Sequence, residues 1–418
     1  MAEPVPLGKN RQFQLLWIGS AASSLGSELT RVAVPLLLIA STGNAALAGM
    51  VTSLLVASMI IVQIPAGVWV DQWDRRKILQ ICQFLQLVNS AVLTAVLLIS
   101  GVHVASFVVF AVIDGACQAF LHPARDVAIR GVVPGVQLRT AYSREEARQH
   151  GARLLGPALG GALYTLNVFL PFIFDTVSFF VAWLCTVGAR VPRRPITPTN
   201  TEAEVREDEP RGMVSSAHAA FIWLVRKKGL REVILVIMGM NLLGGMSYIP
   251  MIAHLGSLGS DASTTGFVLS AIGVGGLIGA LASGRLTSRI PPGMLAISVP
   301  AVFGVCLLLA SLPLPPMVVA VPLVVFSVTT PALNIASQAV TAEMVPHDML
   351  GRVGGLITVV ARGLAPIGPL VGGILTDQIG GGPTLAIAGA GLVLLAFVAL
   401  SSRALREFRG GEEQEPPL

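Results

Sequence analysis

The chain has 418 residues, of which 53% are hydrophobic and only 12% charged, and its formal net charge is +5. A soluble domain carries about 25% charged residues, so this composition excludes a soluble globular protein and indicates a membrane protein. The basic residues lie in short loops between apolar runs, which argues against a nucleic-acid partner. All four cysteines lie in apolar runs far apart in the sequence, which argues against disulfides and a metal site; they are Cys82, Cys117, Cys185 and Cys306.

The first half of the chain contains six predicted membrane spans. Residues 1–11 are a short polar tail, and the first apolar run is too long for a cleavable signal peptide. About 20 apolar residues suffice to cross a bilayer. The predicted spans cover residues 12–40, 47–70, 78–100, 105–127, 146–166 and 169–189. Together they predict an N-terminal six-helix bundle at residues 12–189.

The second half repeats this plan after a polar break. Residues 190–218 are rich in proline and acidic residues and are predicted to be a solvated linker. Residues 221–228 have an apolar face and a basic end, which predicts an interfacial helix. Six further spans begin near residues 230, 265, 294, 317, 353 and 383. The prediction is a C-terminal bundle at 219–403 and a polar tail at 404–418.

The loops predict the orientation. The even-numbered connectors carry the arginines and lysines, whereas the odd-numbered connectors carry none. Positive charge remains on the cytoplasmic side of a membrane. We therefore expect a multi-pass protein of the cell membrane with both termini and the linker in the cytoplasm.

The two halves also repeat in sequence. A shift of 212 residues aligns Gly67 with Gly279, Pro134 with Pro346, and two Gly-Pro-x-x-Gly-Gly motifs, at 156–161 and 368–373, with each other. Six spans per half give both halves the same orientation. The expected fold is therefore all-α, with twelve transmembrane helices in two six-helix bundles related by a pseudo-two-fold axis along the membrane normal. Such parallel repeats are typical of transporters that bind substrate between the halves.

The two Gly-Pro motifs form runs of small residues inside apolar spans, where small residues let helices approach closely. Two interpretations are open, helix packing alone or an interface between moving bundles. The residues of this predicted bundle-interface motif are Gly156, Pro157, Gly160, Gly161, Gly368, Pro369, Gly372 and Gly373.

The loop after the second span carries a further motif. It reads Gly67-Val-Trp-Val-Asp71-Gln-Trp-Asp-Arg75-Arg76. An aspartate at a helix end can face the positive N-terminus of another helix. We predict a cytoplasmic gate at Gly67, Asp71, Arg75 and Arg76; the alternative is that these charges only determine topology.

These motifs resemble the major facilitator superfamily, whose signature loop is Gly-x-x-x-Asp-Arg-x-Gly-Arg-Arg/Lys. Gly67, Asp71, Arg75 and Arg76 match that signature, whereas Gln72 and Asp74 depart from it. The segments 122–134 and 174–179 and the Gly-Pro motif are similar to the branch that contains macrolide efflux proteins and the enterobactin exporter. The resemblance covers the whole chain except the linker and the tail.

Ionisable residues inside spans are costly and mark functional sites. An apolar environment disfavours an ionised carboxylate, and such a group can take up and release protons. The candidates for proton coupling are Glu28, Asp114 and Asp175, and the candidate charge partners are Arg31, Arg153 and Arg362. The alternative interpretation is internal pairing, of Glu28 with Arg31 or Asp114 with Arg153.

The sequence thus predicts a transporter and not an enzyme, with no cofactor, no metal and no nucleotide-binding loop. The primary hypothesis is export of an amphiphilic small molecule (an antibiotic, a siderophore or another secondary metabolite) by proton antiport with alternating access. A proton-coupled importer of a small nutrient and a non-transporting membrane sensor or scaffold are the alternatives. The expected partners are the substrate, protons and membrane lipid, and a monomer suffices.

Overall fold

A computed structural model describes residues 6–190, 221–345 and 350–410, except the side chains of Ile64, Val68, Asp71, Leu350, Gly351 and Arg352. The described residues are helical throughout their regular structure. In chain order the helices are α1 Arg11–Thr42, α2 Ala45–Gln72, α3 Arg75–Ser100, α4 Val104–Val132, α5 Leu138–Leu166, α6 Leu170–Gly188, α7 Lys228–Gly245, α8 Tyr248–Ser257, α9 Ala262–Arg289, α10 Pro292–Ala310, α11 Pro316–Met344, α12 Leu350–Arg362, α13 Ile367–Ile379, α14 Gly381–Ser401 and α15 Arg403–Glu407.

Local signals set the helix boundaries. Asn10, Asn44 and Asp74 cap α1, α2 and α3, each accepting a hydrogen bond from a backbone N–H of the first turn, and this satisfies donors that the helix leaves unpaired. Helix α1 ends at Thr42, and the next residue, Gly43, has a φ of +65°, a conformation that suits glycine. Proline at position 35 lies inside α1 without ending it, as membrane helices allow.

Within the described residues, eleven helical segments are long and apolar enough to cross a membrane. Two of them are composite, since α7 with α8 forms Lys228–Ser257, and α12 with α13 contributes Val353–Ile379. The predicted span that is missing from these eleven is the fifth, which corresponds to α5. Helix α5 is too polar to qualify by hydropathy, because its first half carries arginines and glutamates. Many large apolar side chains are exposed, as expected for a lipid-facing surface; Ile99, for example, is 84% exposed.

Most predicted spans agree with the helices to within a few residues, but the fifth does not. It was expected over residues 146–166, whereas α5 begins at Leu138. The polar residues Arg144 and Glu145 precede the predicted start, yet they lie on the same continuous helix. The linker at 191–218, the side chain of Asp71 and the tail beyond residue 410 lie outside the described residues.

The chain divides into two compact units. The first contains the described residues 6–190 and 259–270, and the second contains 221–258, 271–345 and 350–410. The core of the first unit includes Phe13, Leu79 and Leu121. The second unit has one larger apolar core in which Leu230, Leu295 and Leu333 are buried.

The internal repeat is real, but its offset is not constant. Helices α4 and α11 match at both ends with a shift of 212 residues, Val104–Val132 against Pro316–Met344. Helices α2 and α9 match at both ends with a shift of 217, Ala45–Gln72 against Ala262–Arg289. The shift falls because α3 is longer than α10 by more residues than the connection after α3 is shorter.

This difference corrects one predicted match. With a shift of 217, Gly67 corresponds to Gly284 rather than to Gly279. A side chain at Gly67 or Gly284 would meet open space, whereas one at Gly279 would strike the backbone of Val328. The environments of these glycines therefore support the corrected match. By the same shift, Asp71 corresponds to Ser288 and Arg75 to Pro292, so these two charges have no equivalent at the matched positions of the second half.

Candidate functional site

A polar cavity lies inside the first unit, between α1, α3, α4, α5 and α6. It has a volume of about 110 Å³. Its ionisable lining residues are Glu28, Arg31, His122, Arg125, Arg148 and Arg153, and its neutral polar lining residues are Ser23, Ser24, Ser27, Gln86, Gln118 and Gln149. Ionisable side chains inside membrane spans cost free energy and often mark functional sites, so this cavity is the candidate site.

Glu28 and Arg31 form an ion pair on one wall of the cavity. The distance from Arg31 Nη1 to Glu28 Oε1 is 3.1 Å, and the two residues are one turn apart on α1. The Glu28 side chain is 12% exposed and that of Arg31 is 48% exposed. The internal pairing considered from the sequence is therefore present, and both partners also face the cavity.

A second charge cluster joins α4 to α5. Arg148 donates from Nε to Glu145 Oε2 at 3.0 Å and from Nη2 to Glu145 Oε1 at 2.5 Å, which is a bidentate pair. Its Nη1 donates to the Ser20 carbonyl and the Ser24 hydroxyl of α1. Arg125 reaches the same Glu145 oxygen only at 3.8 Å. Two buried guanidinium groups thus share one buried carboxylate.

Asp114 lies deeper, between α4 and α3. Gln86 donates to its Oδ1 at 2.7 Å and Gln118 donates to its Oδ2 at 2.6 Å. The hydrogen bonds described for Asp114 therefore come from two glutamines, Gln118 one turn along α4 and Gln86 on α3. The pairing with Arg153 considered from the sequence is not among them. Gln86 and Gln118 also line the cavity and so connect Asp114 to it.

Asp175 on α6 is fully buried. Its Oδ2 accepts a hydrogen bond from Ser90 at 2.8 Å, whereas its Oδ1 has no hydrogen-bond partner. Ser90 and Gln86 are one turn apart on α3, so the two buried aspartates contact successive turns of the same helix face. An unsatisfied buried oxygen is costly, which marks Asp175 as an exceptional group.

The first Gly-Pro motif packs α5 closely against α1. A Cβ atom at Gly156 would overlap the Cβ of Glu28, and one at Gly160 would lie 2.9 Å from the Leu29 carbonyl oxygen. Gly161 similarly touches the backbone of Ala262, which belongs to the same unit. Pro157 is buried within this face. The contacts of Gly156 and Gly160 thus fit the helix-packing interpretation and also position Glu28.

The second motif repeats this packing inside the second unit. A Cβ atom at Gly368 would overlap the Leu242 carbonyl, and one at Gly372 would overlap the Met246 carbonyl. Pro369 and Gly373 are buried on the same helix. Arg362 is exposed at the end of α12 and does not join the cavity of the first unit.

The predicted gate loop is described in part. Gly67 faces open space. Asp74, which departs from the family signature, caps α3 by accepting from the Arg76 backbone N–H at 3.0 Å. The Arg76 side chain donates to the Val187 carbonyl at 3.0 Å, which joins this loop to the end of α6.

Sequence reasoning missed the Arg125, Glu145 and Arg148 cluster as a site. The Glu145 and Arg148 spacing of three residues is a usable signal, but the predicted start of the fifth span at residue 146 separates the two residues. Gln86 and Gln118 carried no signal of their own, since only the fold shows that they meet Asp114. Among the described residues, no group of three or more His, Cys, Asp or Glu side chains is arranged to hold a metal ion.

Comparison with known proteins gives a consistent result. The family model described as Major Facilitator Superfamily matches residues 16–369 and 234–417. The chain is 26% identical over 410 residues to the multidrug efflux pump Tap of Mycobacterium tuberculosis, covering 94% of each chain. It is 23% identical over 402 residues to macrolide efflux protein A of Streptococcus pyogenes, covering 93% of this chain and 95% of that protein.

Solved structures share the fold at low identity. A mutant of the nucleoside transporter NupG matches with a TM-score of 0.76 at 13% identity, over 93% of this chain and 99% of that one. A bacterial homologue of the lysosomal transporter Spinster, inward-facing and occupied, matches with a TM-score of 0.72 at 14% identity, over 95% and 96% of the two chains.

Proposed function

Since the chain belongs to the major facilitator superfamily, and is a multi-pass membrane transporter by that membership, we propose that it exports an amphiphilic small molecule by proton antiport. The observation that carries the proposal is the polar cavity of the first unit, which has a carboxylate, Glu28, in its wall. Export is the favoured direction because relatives that match over almost the whole chain are named efflux proteins.

Glu28 is the proposed coupling residue. It is only 12% exposed and lies beside the cavity, so a proton and a substrate can compete for the same space. Arg31 can hold the deprotonated carboxylate at 3.1 Å. On this proposal the proton binds Glu28 from the outside, the carrier resets, and substrate displaces the proton inside.

Asp114 and Asp175 are the alternative coupling residues. Asp114 is joined to the cavity through Gln86 and Gln118, which could relay a change in its charge. Asp175 has an oxygen without a hydrogen-bond partner and could hold a proton there. Either would couple from within the bundle rather than from the cavity wall.

The remaining parts of the proposal concern motion and placement. We propose that Gly67, Asp71, Arg75 and Arg76 form a cytoplasmic gate, and that the two Gly-Pro motifs serve the rearrangement of the bundles during alternating access. The loop charges support a cell-membrane location with cytoplasmic termini. Bundle boundaries at 12–189 and 219–403, contacts with membrane lipid and a monomeric carrier complete the proposal.

A test is substrate-dependent proton movement in vesicles of known orientation. Purified protein is reconstituted with a pH-sensitive dye inside, and macrolides, siderophores and simple sugars are offered in turn. We expect amphiphilic compounds to move protons opposite to their own movement. Proton movement in the same direction as a sugar, with no response to amphiphiles, would overturn antiport.

A second candidate is a proton-coupled importer of a small polar nutrient. The cavity lining favours it to some extent, because serine and glutamine side chains provide several hydrogen-bonding groups. The same vesicle experiment separates the two, since symport and antiport move protons in opposite directions relative to the substrate.

A further inference from the structure

We propose that the cavity of the first unit is an anion-binding site, and that the transported molecule carries an acidic group which docks on Arg125. This inference rests on the proposed export function and names the chemical class of its substrate, an amphiphilic organic acid. Its basis is the charge of the lining residues together with the incomplete coordination of one buried guanidinium.

The lining is predominantly basic. Arg31, Arg125, Arg148 and Arg153 line the cavity, against one lining carboxylate, Glu28. Glu145 stands behind the lining and pairs with two of these arginines. Arg125 and Arg148 are the two buried cations of this lining, and both contact the single carboxylate of Glu145. Because charges interact strongly in a water-poor interior, such a wall favours an entering anion.

Arg125 and Arg148 are not equivalent. Every terminal nitrogen of Arg148 is engaged, by Glu145 and by Ser20 and Ser24 on α1, so its position is fixed. Arg125 is also buried, with its side chain 9% exposed against 2% for that of Arg148. Among the described residues its one polar side-chain partner is Glu145 at 3.8 Å, a distance too long for a hydrogen bond.

A guanidinium has five N–H donors, and a buried cation without acceptors is costly. Within the described part of the chain the Arg125 guanidinium makes an ion pair but no hydrogen bond, and it faces the cavity. A carboxylate entering there could accept two parallel hydrogen bonds from one guanidinium. Drug-sized ligands need about 300–1,000 Å³, so a cavity of about 110 Å³ holds the acidic head group while the apolar part extends beyond it.

The test uses the full chain in lipid nanodiscs without a pH gradient. The probes are dansylaminoundecanoic acid and its methyl ester, which differ in charge but share the fluorophore and the apolar chain. We expect the acid to bind the wild-type protein about tenfold more tightly than the ester, the size of one charge-assisted hydrogen bond. Equal binding of both probes, or binding of neither, would overturn the inference.

Variants assign the effect to Arg125. Arg125→Gln should weaken acid binding about tenfold and leave ester binding unchanged, whereas Arg125→Lys should retain part of the preference. Arg130→Gln is the matched control, since Arg130 lies on the same helix but is exposed and contacts Tyr142. Loss of acid preference in the control, or its persistence in Arg125→Gln, would contradict the assignment.

A variant that should bind the acid more tightly excludes the explanation that weaker binding reflects misfolding. Glu145 competes with the anion for both arginines, so Glu145→Gln should bind the acid more tightly than wild type, and the acid should raise the thermal midpoint of that variant. Weaker acid binding in a folded Glu145→Gln protein would contradict the competition. If the acid binds as expected but the vesicles show no export, the export proposal is wrong and the anion site stands. If neutral amphiphiles are exported and acids do not bind, the anion site is wrong and the export proposal stands.

Discussion

The two units pack their helices in the same way but differ in the polarity of their interiors. In both, glycines of a Gly-Pro motif press one helix against another, Gly156 against Glu28 and Gly368 against Leu242. The interiors differ at matched positions. Gln86 and Asp114 are hydrogen-bonded in the first unit, whereas their counterparts by the repeat, Phe303 and Phe326, stack with ring centroids 4.2 Å apart.

The charged pair of Glu145 and Arg148 also has apolar counterparts in the second unit. Glu145 and Arg148 form the bidentate pair of the first unit, and the repeat places Ile357 and Val360 at these positions, where they pack against the apolar core of the second unit. Close packing of helices at glycines is therefore common to both units, whereas the polar and charged side chains at these matched positions occur in the first unit. At these matched positions the first unit is therefore polar and charged, whereas the second unit is apolar.

The largest effect on stability should come from Glu145→Gln. Removing one partner of a buried ion pair costs about 3 kcal/mol, because Arg148 and Arg125 lose their shared carboxylate. For comparison, Glu232→Gln in the second unit should cost less than about 1 kcal/mol, since the 4.0 Å pair of Glu232 with Arg231 is partly exposed. Denaturant unfolding in detergent measures both, and equal costs would remove the distinction between the interiors.

The shared packing should respond equally in both units. Gly156→Ala and Gly368→Ala each place a Cβ atom where a neighbouring helix already lies, and overpacking of this kind costs about 1–3 kcal/mol. Gly151→Ala is the control on α5, because its Cβ would meet no atom within 4 Å. The thermal midpoint should fall in both test variants and stay level or rise in the control. A fall confined to one unit would show that the packing is not equivalent.

An apolar replacement should be tolerated where the first unit is polar. In the triple change Gln86→Leu, Asp114→Leu and Gln118→Leu, the carboxylate and both of its hydrogen-bond donors become apolar together, which avoids leaving one partner unsatisfied. Stability should change by no more than about 1 kcal/mol, whereas pH-gradient-driven transport should fall if Asp114 takes part. Full transport by this variant in reconstituted vesicles would leave Asp114 with a structural role and favour Glu28.

The smallest effect on stability should come from Glu28→Gln, because its partner Arg31 is half exposed and such pairs contribute less than about 1 kcal/mol. The effect on coupling should be large, with gradient-driven export lost while weak substrate binding remains. The informative comparison is the double change Glu28→Gln with Arg31→Gln. Recovery of active export in the double variant would show that Glu28 only neutralises Arg31 and would shift attention to Asp114 and Asp175.

The sequence by itself determined the class of fold. Long apolar runs must become helices in lipid, where every backbone group needs an internal partner, so the spans and the repeat could be located without coordinates. The family followed from the loop motif around Gly67 and from the Gly-Pro motifs. The Glu28 and Arg31 pair was also within reach, because residues three apart on one helix are neighbours.

Only the tertiary structure decided which distant groups meet. Gln86 meets Asp114, and Arg125 meets Glu145, through the packing of separate helices, and no spacing in the chain encodes such contacts. The constant repeat offset failed for a related reason, since a length change near α3 shifts the register without disturbing the packed helices. Hydropathy determines where a helix lies along the membrane normal, whereas its rotation about its own axis and its neighbours depend on packing. The cavity depends on this rotation and this packing, because five helices contribute its lining.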